Sequence, residues 1–181
     1  MPTYLALLRA VNVSGHHKLP MKELRERMEA AGYGNVRTYI QSGNIIFDHP
    51  SEDELELRSA LAELLLAEFN VKSPVVLRSR DELAETVANS PYTVDPAEEK
   101  FFHVMFLSDL PSSEHLATLD PNRSPNDRWQ VRGRDIYIHF KGGVAESKLT
   151  NAYFDSKLKT VSTGRNWRTV NKLLDMLDDH P

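Results

Sequence analysis

Cysteine is absent from the 181-residue sequence. Its absence excludes disulfide bonds, thiolate metal sites, iron–sulfur clusters and a cysteine nucleophile. Long hydrophobic runs are absent too: no apolar stretch approaches the roughly 20 residues that span a bilayer, and no basic segment precedes the first apolar run, as it would in a signal peptide. Hydrophobic residues still make up 40% of the chain, enough for a core. We therefore expect a soluble cytoplasmic protein with no membrane partner.

The sequence also lacks the short motifs of common enzymes. Neither G-x-G-x-x-G nor a phosphate loop ending in Gly-Lys-Ser/Thr occurs, and there is no H-E-x-x-H or G-x-S-x-G pattern. His16 and His17 are adjacent, but adjacent rings rarely ligate one ion. Ser42 lies in a Ser-Gly-Asn stretch typical of a turn. The sequence predicts no metal site and no cofactor, and it leaves open whether the protein is an enzyme.

Charge is unevenly distributed along the chain. The net charge is -4, yet residues 51–99 carry 12 acidic and 4 basic side chains, whereas residues 121–172 carry 4 acidic and 11 basic ones. Such asymmetry is typical of proteins with a nucleic-acid or phosphate partner. On the charge distribution alone, however, we favour the simpler interpretation of two solvated helix faces of opposite sign.

The first half of the chain has the pattern of a ferredoxin-like unit. Short apolar runs predict strands at residues 4–11, 36–41, 45–48 and 74–77. Helical periodicity follows Pro20, and a capping box at Ser51–Glu54 predicts the start of a second helix. The resulting order, β-α-β-β-α-β over residues 1–78, is that of a split βαβ unit whose antiparallel sheet carries both helices on one face.

The second half, residues 79–181, repeats this order only in part. The predicted elements run α-β-α-β-β-α-α, and no closing strand is recognisable. They lie at residues 79–89, 101–107, 112–119, 129–131, 136–140, 144–159 and 165–178. We predict an α+β protein with two ferredoxin-like subdomains in tandem, at 1–78 and 79–181, ending in a C-terminal helix and forming one compact domain overall.

Several sequence blocks resemble those of a known bacterial family. The blocks are Leu8–Gly15, Pro20-Met21, Thr38–Asn44 and Arg165–Leu173. In this order they resemble the signature of the family called domain of unknown function 1697, over residues 4 to about 175. The resemblance implies a pair of ferredoxin-like subdomains and no established activity. Ala10 and Ser14 stand where the family commonly has glycine, and Arg168 stands where it commonly has asparagine.

The predicted last helix opens with unfavourable charge. Arg165 and Arg168 occupy its expected first turn, where the helix dipole disfavours cations. A bound phosphate or carboxylate would compensate them, with helix N–H groups and guanidinium groups as donors. The predicted ligand contacts here are Thr163, Gly164, Arg165, Asn166, Arg168 and Thr169. The alternative is structural: Arg165 pairs with an acidic residue of the other half, and Trp167 anchors the core.

A loop of the first half has similar ingredients. Arg9 and Lys18 flank the loop, and Gly15 lies within it. We predict that Arg9, Asn12, Gly15 and Lys18 bind an anion, with Gln41 and Asn44 also in the site. The leading hypothesis is a small anionic ligand, phosphate- or carboxylate-bearing, bound where this loop meets the start of the last helix.

Two other functions remain open. The basic segment 121–172 contains Trp129, Tyr137 and Tyr153, and ferredoxin-like sheets bind RNA by stacking bases on exposed aromatic rings. The Lys-Gly-Phe-Gly-Phe-Val run typical of such sheets is absent, so nucleic acid is not the favoured partner. The third possibility is a scaffold protein with no small ligand. The sequence predicts no oligomeric state.

Overall fold

The computed structural model describes residues 1–179. It contains eight strands and six α-helices within that range, with short 3-10 turns at Pro96–Phe101 and Val144–Glu146. The strands are β1 (Thr3–Leu8), β2 (Gly34–Tyr39), β3 (Asn44–Asp48), β4 (Val75–Ser79), β5 (Phe102–Leu107), β6 (Arg128–Arg132), β7 (Asp135–His139) and β8 (Ser162–Asn166). The helices are α1 (Met21–Ala30), α2 (Glu54–Phe69), α3 (Arg80–Ala88), α4 (Ser113–Leu116), α5 (Asn151–Leu158) and α6 (Trp167–Asp178).

The chain divides into two compact units. The first comprises Met1–Ala84 together with the chain from Leu173 onward, and the second comprises Glu85–Lys172. Each contains one four-stranded antiparallel sheet, in the order β2-β3-β1-β4 in the first and β6-β7-β5-β8 in the second. Both orders are those of a ferredoxin-like fold, which confirms the predicted class. None of the helices in the described chain combines the length and the apolarity needed to cross a bilayer.

The core of the first unit lies between its sheet and helices α1 and α2. Ala6 and Leu8 face this core, but Leu5 and Leu7 on the other face of β1 are also fully buried. Because both faces are buried, β1 has a continuous apolar run and no polar alternation. The start of α2 differs from the predicted capping box. Asp53 is the N-cap and accepts hydrogen bonds from the backbone N–H of Leu55 and Glu56, at 2.9 and 3.0 Å.

The second unit contains the closing strand that the sequence pattern did not show. β8 pairs with β5, so that Phe106 lies opposite Thr163 and Val104 opposite Arg165. The prediction of a helix from residue 165 was therefore wrong at its start, since α6 begins at Trp167. Polar Ser, Thr, Gly, Arg and Asn residues make up β8, so hydrophobic periodicity could not identify it. The second unit is a complete β-α-β-β-α-β unit.

The helix predicted over residues 144–159 was also too long. Only a 3-10 turn forms at Val144–Glu146, and α5 begins at Asn151. Thr150 is its N-cap, because its hydroxyl accepts a hydrogen bond from the Tyr153 N–H at 3.2 Å. A capping hydroxyl inside an apparently helical segment therefore marks the real start of the helix.

Candidate functional site

The chain from β1 to α1 forms a small protruding hairpin. The N–H of His16 donates to the carbonyl of Val13 at 2.9 Å, and the N–H of Asn12 donates to the carbonyl of His17 at 3.1 Å. Ser14 and Gly15 have φ values of 50° and 76°, as the two central residues of a type I′ turn require. We call residues 9–19 the cationic loop.

Asn12 fixes the base of the cationic loop. Its side-chain amide donates to the carbonyls of Leu19 and Gln41, at 3.0 and 2.8 Å, and its Oδ1 accepts the Leu19 N–H at 2.8 Å. Gln41 meets Asn12 through its backbone carbonyl, and it is exposed. Asn12 and Gln41, both predicted to contact the ligand, are thus in contact with each other, and in these contacts Asn12 holds the loop in shape.

Left-handed backbone is concentrated in this part of the molecule. Besides the turn residues, Ala10, Asn12 and His17 have φ of 57°, 54° and 49°, and Ile40 in the neighbouring hairpin has 51°. This conformation costs a residue with a side chain roughly 1–2 kcal/mol. Residues in such conformations cluster at ligand-binding sites, where the strain holds groups in position.

The cationic loop contains no acidic residue, and the first acid in the sequence is Glu23. His16, His17 and Lys18 are exposed. Within residues 1–179 no carboxylate lies within ion-pair distance of Lys18. The chain described by the structure also offers no hydrogen-bond acceptor to the backbone N–H groups of Ser14, Gly15 and Lys18.

Arg9 stands at the start of this loop and is only half-buried. Its backbone N–H donates to the Ser73 hydroxyl at 3.0 Å, and that hydroxyl donates to the Arg9 carbonyl at 2.8 Å. The main chain of Arg9 is therefore fixed where the loop leaves the sheet.

Gly43 and Asn44 determine the conformation of the hairpin between β2 and β3, which lies beside the cationic loop. The Leu8 N–H donates to the Gly43 carbonyl at 2.9 Å. A Cβ on Gly43, whose φ is 80°, would lie 2.6 Å from the Leu8 Cβ and 2.9 Å from the Val11 Cγ2. Asn44 is fully buried and donates to the Tyr39 carbonyl at 3.1 Å. Both residues therefore shape the hairpin beside the loop.

The predicted anion contacts of the second half have different surroundings. Arg165 lies in β8, is 7% exposed, and donates to the Thr163 hydroxyl at 2.9 Å and the Gly164 carbonyl at 2.8 Å. Burial lowers its pKa to about 10. It lies in a strand and not in the first turn of a helix, so the unfavourable interaction with a helix dipole, which suggested a compensating anion, does not apply to it.

The real first turn of α6 has one exposed arginine. Asn166 caps the helix, since its Oδ1 accepts the Thr169 N–H at 2.9 Å, and Thr169 is buried. Arg168 is exposed, and its Nε lies 3.4 Å from the Glu99 carboxylate. A carboxylate of the second unit therefore already neutralises the one cation in this turn.

The aromatic residues proposed for RNA stacking contact their own unit. The Tyr137 hydroxyl donates to the Thr86 carbonyl at 2.6 Å, and the Tyr137 side chain is buried. Tyr153 is 8% exposed and accepts the Asp120 N–H at 2.8 Å. The Trp129 ring packs edge-on against Phe154, with 5.8 Å between ring centroids. These contacts do not favour base stacking on these rings.

From the sequence, His16 and His17 are candidates only for metal ligands, and their contribution to a cationic surface is not predicted. In the structure they are exposed neighbours of Lys18 in the cationic loop. Two histidines add positive charge whenever they are protonated. The run of 22 residues without an acid at the start of the sequence was the available signal for this cationic surface.

Comparison with known proteins identifies the family. Residues 1–137 match the family described as protein of unknown function (DUF1697), so the chain belongs to that family. No curated protein matches the sequence. The structure of the conserved bacterial protein SP0830 from Streptococcus pneumoniae is similar, with a TM-score of 0.68, 23% identity and 99% of both chains covered. At this identity the similarity supports the fold alone.

Proposed function

We propose that this DUF1697 protein binds a small anion, phosphate- or carboxylate-bearing, at the cationic loop. The observation that carries the proposal is the concentration of left-handed, exposed backbone in an acid-free loop. Backbone N–H groups in turns of this kind form concave binding sites for anions. Ser14, Gly15 and Lys18 supply such groups, and the charge of Lys18 adds to their attraction.

The fold itself does not require this loop. The equivalent connection in the second unit, residues 108–112 between β5 and α4, is shorter and contains Asp109. None of its residues has a positive φ. The same topology is therefore built without left-handed residues or an excess of cations. The extra length and conformational cost of the cationic loop suggest a role other than connecting β1 to α1.

The loop's exposure limits the affinity. Exposed charge pairs contribute about 0.2–1 kcal/mol each in water, and a few such contacts with backbone donors correspond to a dissociation constant of about 1 mM. The predicted contacts at Thr163, Gly164, Arg165, Asn166, Arg168 and Thr169 stay a proposal. The buried Arg165 and the Arg168–Glu99 pair give them less support than the loop has.

The test is titration calorimetry with inorganic phosphate at constant ionic strength. Lys18→Gln removes one loop cation. Lys22→Gln is the matched control, because Lys22 is an exposed lysine near the loop, on α1, and lies near Glu26. We expect Lys18→Gln to weaken binding about three- to fivefold, the loss of one exposed charge contact, and Lys22→Gln to weaken it less than about twofold.

Equal effects of the two substitutions would show that phosphate responds only to net charge, and would contradict a site at the loop. No binding heat up to about 50 mM phosphate, a concentration well above the expected dissociation constant of about 1 mM, would contradict anion binding itself.

A further inference from the structure

A cavity lies on the helical face of the first unit. Its volume is about 560 Å³, within the range of small-molecule sites. The end of α1 and one face of α2 form its walls, and we call it the α1–α2 groove. Alanines of both helices line it, and its polar lining residues are Arg27, Tyr33, His49, Glu56, Glu63 and Glu68.

Tyr33 is the unusual member of this lining. Its side chain is largely buried, at 6% exposure, with its ring edge-on to Phe47 at 5.1 Å between centroids. Its hydroxyl oxygen is not among the fully buried atoms of residues 1–179 that lack a partner, so it is accessible from the groove and can take a ligand as its hydrogen-bond partner. Among residues 1–179 none is provided for this hydroxyl, and burial raises its pKa, so it stays protonated at neutral pH. The groove therefore contains an accessible hydroxyl, on a largely buried side chain, that no group of the described residues binds.

His49 adds a second polar group beside it. The N–H of Ser51 donates to His49 Nδ1 at 3.1 Å, which places the hydrogen of the neutral ring on Nε2. The described chain supplies no acceptor for that Nε2–H. The rings of His49 and Tyr33 are 5.1 Å apart, tilted by 44°. Two adjacent rings thus present polar atoms that a ligand could bind.

The charges around the groove favour a cation. Its lining contains three glutamates against one arginine, and Arg27 already pairs with Glu68 at 3.3 Å. Glu56 accepts a hydrogen bond from the Ser51 hydroxyl at 2.8 Å. Glu63 is exposed, and the structure gives its carboxylate no partner within the described residues. The exposed alanines leave an apolar floor between these groups.

We propose that the α1–α2 groove binds a small aromatic amine. Its flat ring would pack on the alanine floor beside Tyr33 and His49, its ammonium group would be attracted by Glu63, and the Tyr33 hydroxyl would bond a polar atom on the ring. Acidic and small residues occur together on many protein surfaces and do not by themselves indicate a binding site. The Tyr33 hydroxyl, which no described residue binds, is a separate observation that points to a ligand. The ligand has the opposite charge to the one proposed for the cationic loop, so the two sites can be tested separately.

The experiment compares two probes with the same ring. Tyramine is a cation, and 4-hydroxyphenylacetate carries a carboxylate in place of the amine. We expect calorimetric titration of the full chain to give at least tenfold tighter binding of tyramine. Equal or tighter binding of the carboxylate would overturn the proposal, and so would the absence of tyramine binding up to about 20 mM, well above the constant expected for a few weak contacts.

Matched variants locate the site. Tyr33→Phe removes only the hydroxyl and should weaken tyramine binding about three- to tenfold. Glu63→Gln should weaken it about threefold, whereas Glu29→Gln, an exposed acid of α1 outside the groove, should have no effect. A thermal unfolding midpoint within a few degrees of the wild type would show that Tyr33→Phe is folded. Unchanged tyramine affinity in both Tyr33→Phe and Glu63→Gln would overturn the assignment to this groove.

Discussion

The two halves of the molecule have the same sheet order but differ in what they add to it. In the first unit, the chain leaving the first strand becomes the cationic loop, with left-handed residues and no acid. In the second unit, residues 108–112 make the same connection directly. Because both versions support the same sheet order, the comparison separates what the fold needs from what is additional. The additional feature is the loop, and that is where we place the anion site.

The comparison also reassigns Arg165. Arg165 is the fourth residue of β8 and pairs with Val104, the third residue of β5. Arg78 is the fourth residue of β4 and pairs with Leu5, the third residue of β1. Each arginine is buried and donates at 2.8 Å to the carbonyl of the preceding residue. A feature present at the same register in both halves belongs to the framework of the fold.

The largest expected effect follows from this equivalence. Arg165→Ala and Arg78→Ala should each lower the free energy of unfolding by about 3 kcal/mol, because each removes a buried side chain and its hydrogen bonds. Arg168→Ala, at an exposed position, should cost less than about 0.5 kcal/mol. Urea unfolding followed by circular dichroism measures all three. An Arg165→Ala variant as stable as Arg168→Ala would break the equivalence and would strengthen the proposal that Arg165 is a ligand contact.

The hairpin glycines offer a second comparison. Gly43→Ala should destabilise by about 2–3 kcal/mol, since the new Cβ meets Leu8 and Val11 and the φ of 80° is strained. Gly133, in the hairpin of the second unit, has a φ of 58°, but nothing lies within 4 Å of the position that a Cβ would take. Gly133→Ala should therefore cost only about 1 kcal/mol. Equal losses in thermal or urea unfolding would show that close packing does not distinguish the two hairpins.

A third comparison concerns Tyr4 and His103, the second residues of β1 and β5, which are the first strands of the two sheets. The Tyr4 hydroxyl donates to the Ser51 carbonyl at 2.9 Å, whereas the Nδ1 atom of His103 is buried without a partner among the described residues. Burial lowers the pKa of His103 from 6.5 to about 4. The neutral ring is therefore favoured in the folded state. The neutral His103 ring therefore contributes fully to the free energy of unfolding above pH 6.5. This contribution is lost as the pH falls toward 4, by at most about 1.4 kcal/mol per pH unit.

His103→Phe tests this contribution by removing the titrating group. The variant should show a shallower decline in unfolding free energy than the wild type between pH 6.5 and 4, in urea unfolding at several pH values. His16→Gln is the control, because His16 is exposed, and it should follow the wild type. Parallel curves for His103→Phe and the wild type would show that protonation of His103 does not destabilise the folded protein.

Most of the fold was predictable because apolar periodicity and turn residues mark it. The first unit followed from runs such as residues 4–11 and 45–48, and the resemblance to the family supported the tandem arrangement. The closing strand β8 was not predictable, because its buried positions include Thr163 and Arg165 and have no apolar signal. The interpretation of Arg165 as a helix-start cation failed for that reason.

The candidate site was predictable only in part. The sequence predicts anion contacts within one loop, at Arg9, Asn12, Gly15 and Lys18. The structure shows that the Asn12 side chain holds this loop in its conformation. Left-handed φ values at Ala10 and in the neighbouring hairpin at Ile40 have no signal in the sequence, because neither residue type is typical of that conformation. The groove beside Tyr33 was not predicted, since it depends on tertiary packing of two helices.

The most direct test of the central claim is an NMR titration of the isotope-labelled protein with inorganic phosphate at constant ionic strength. The free energy of each contact between phosphate and this loop is smaller than the largest stability changes predicted above, but NMR chemical shifts report on the amide group of each residue separately. We predict saturable shifts that are largest at the N–H groups of Ser14, Gly15 and Lys18, with no change at residues 108–112. Saturable shifts confined to the start of α6, around Arg168, or no saturable shifts at all, would contradict the assignment of anion binding to the cationic loop.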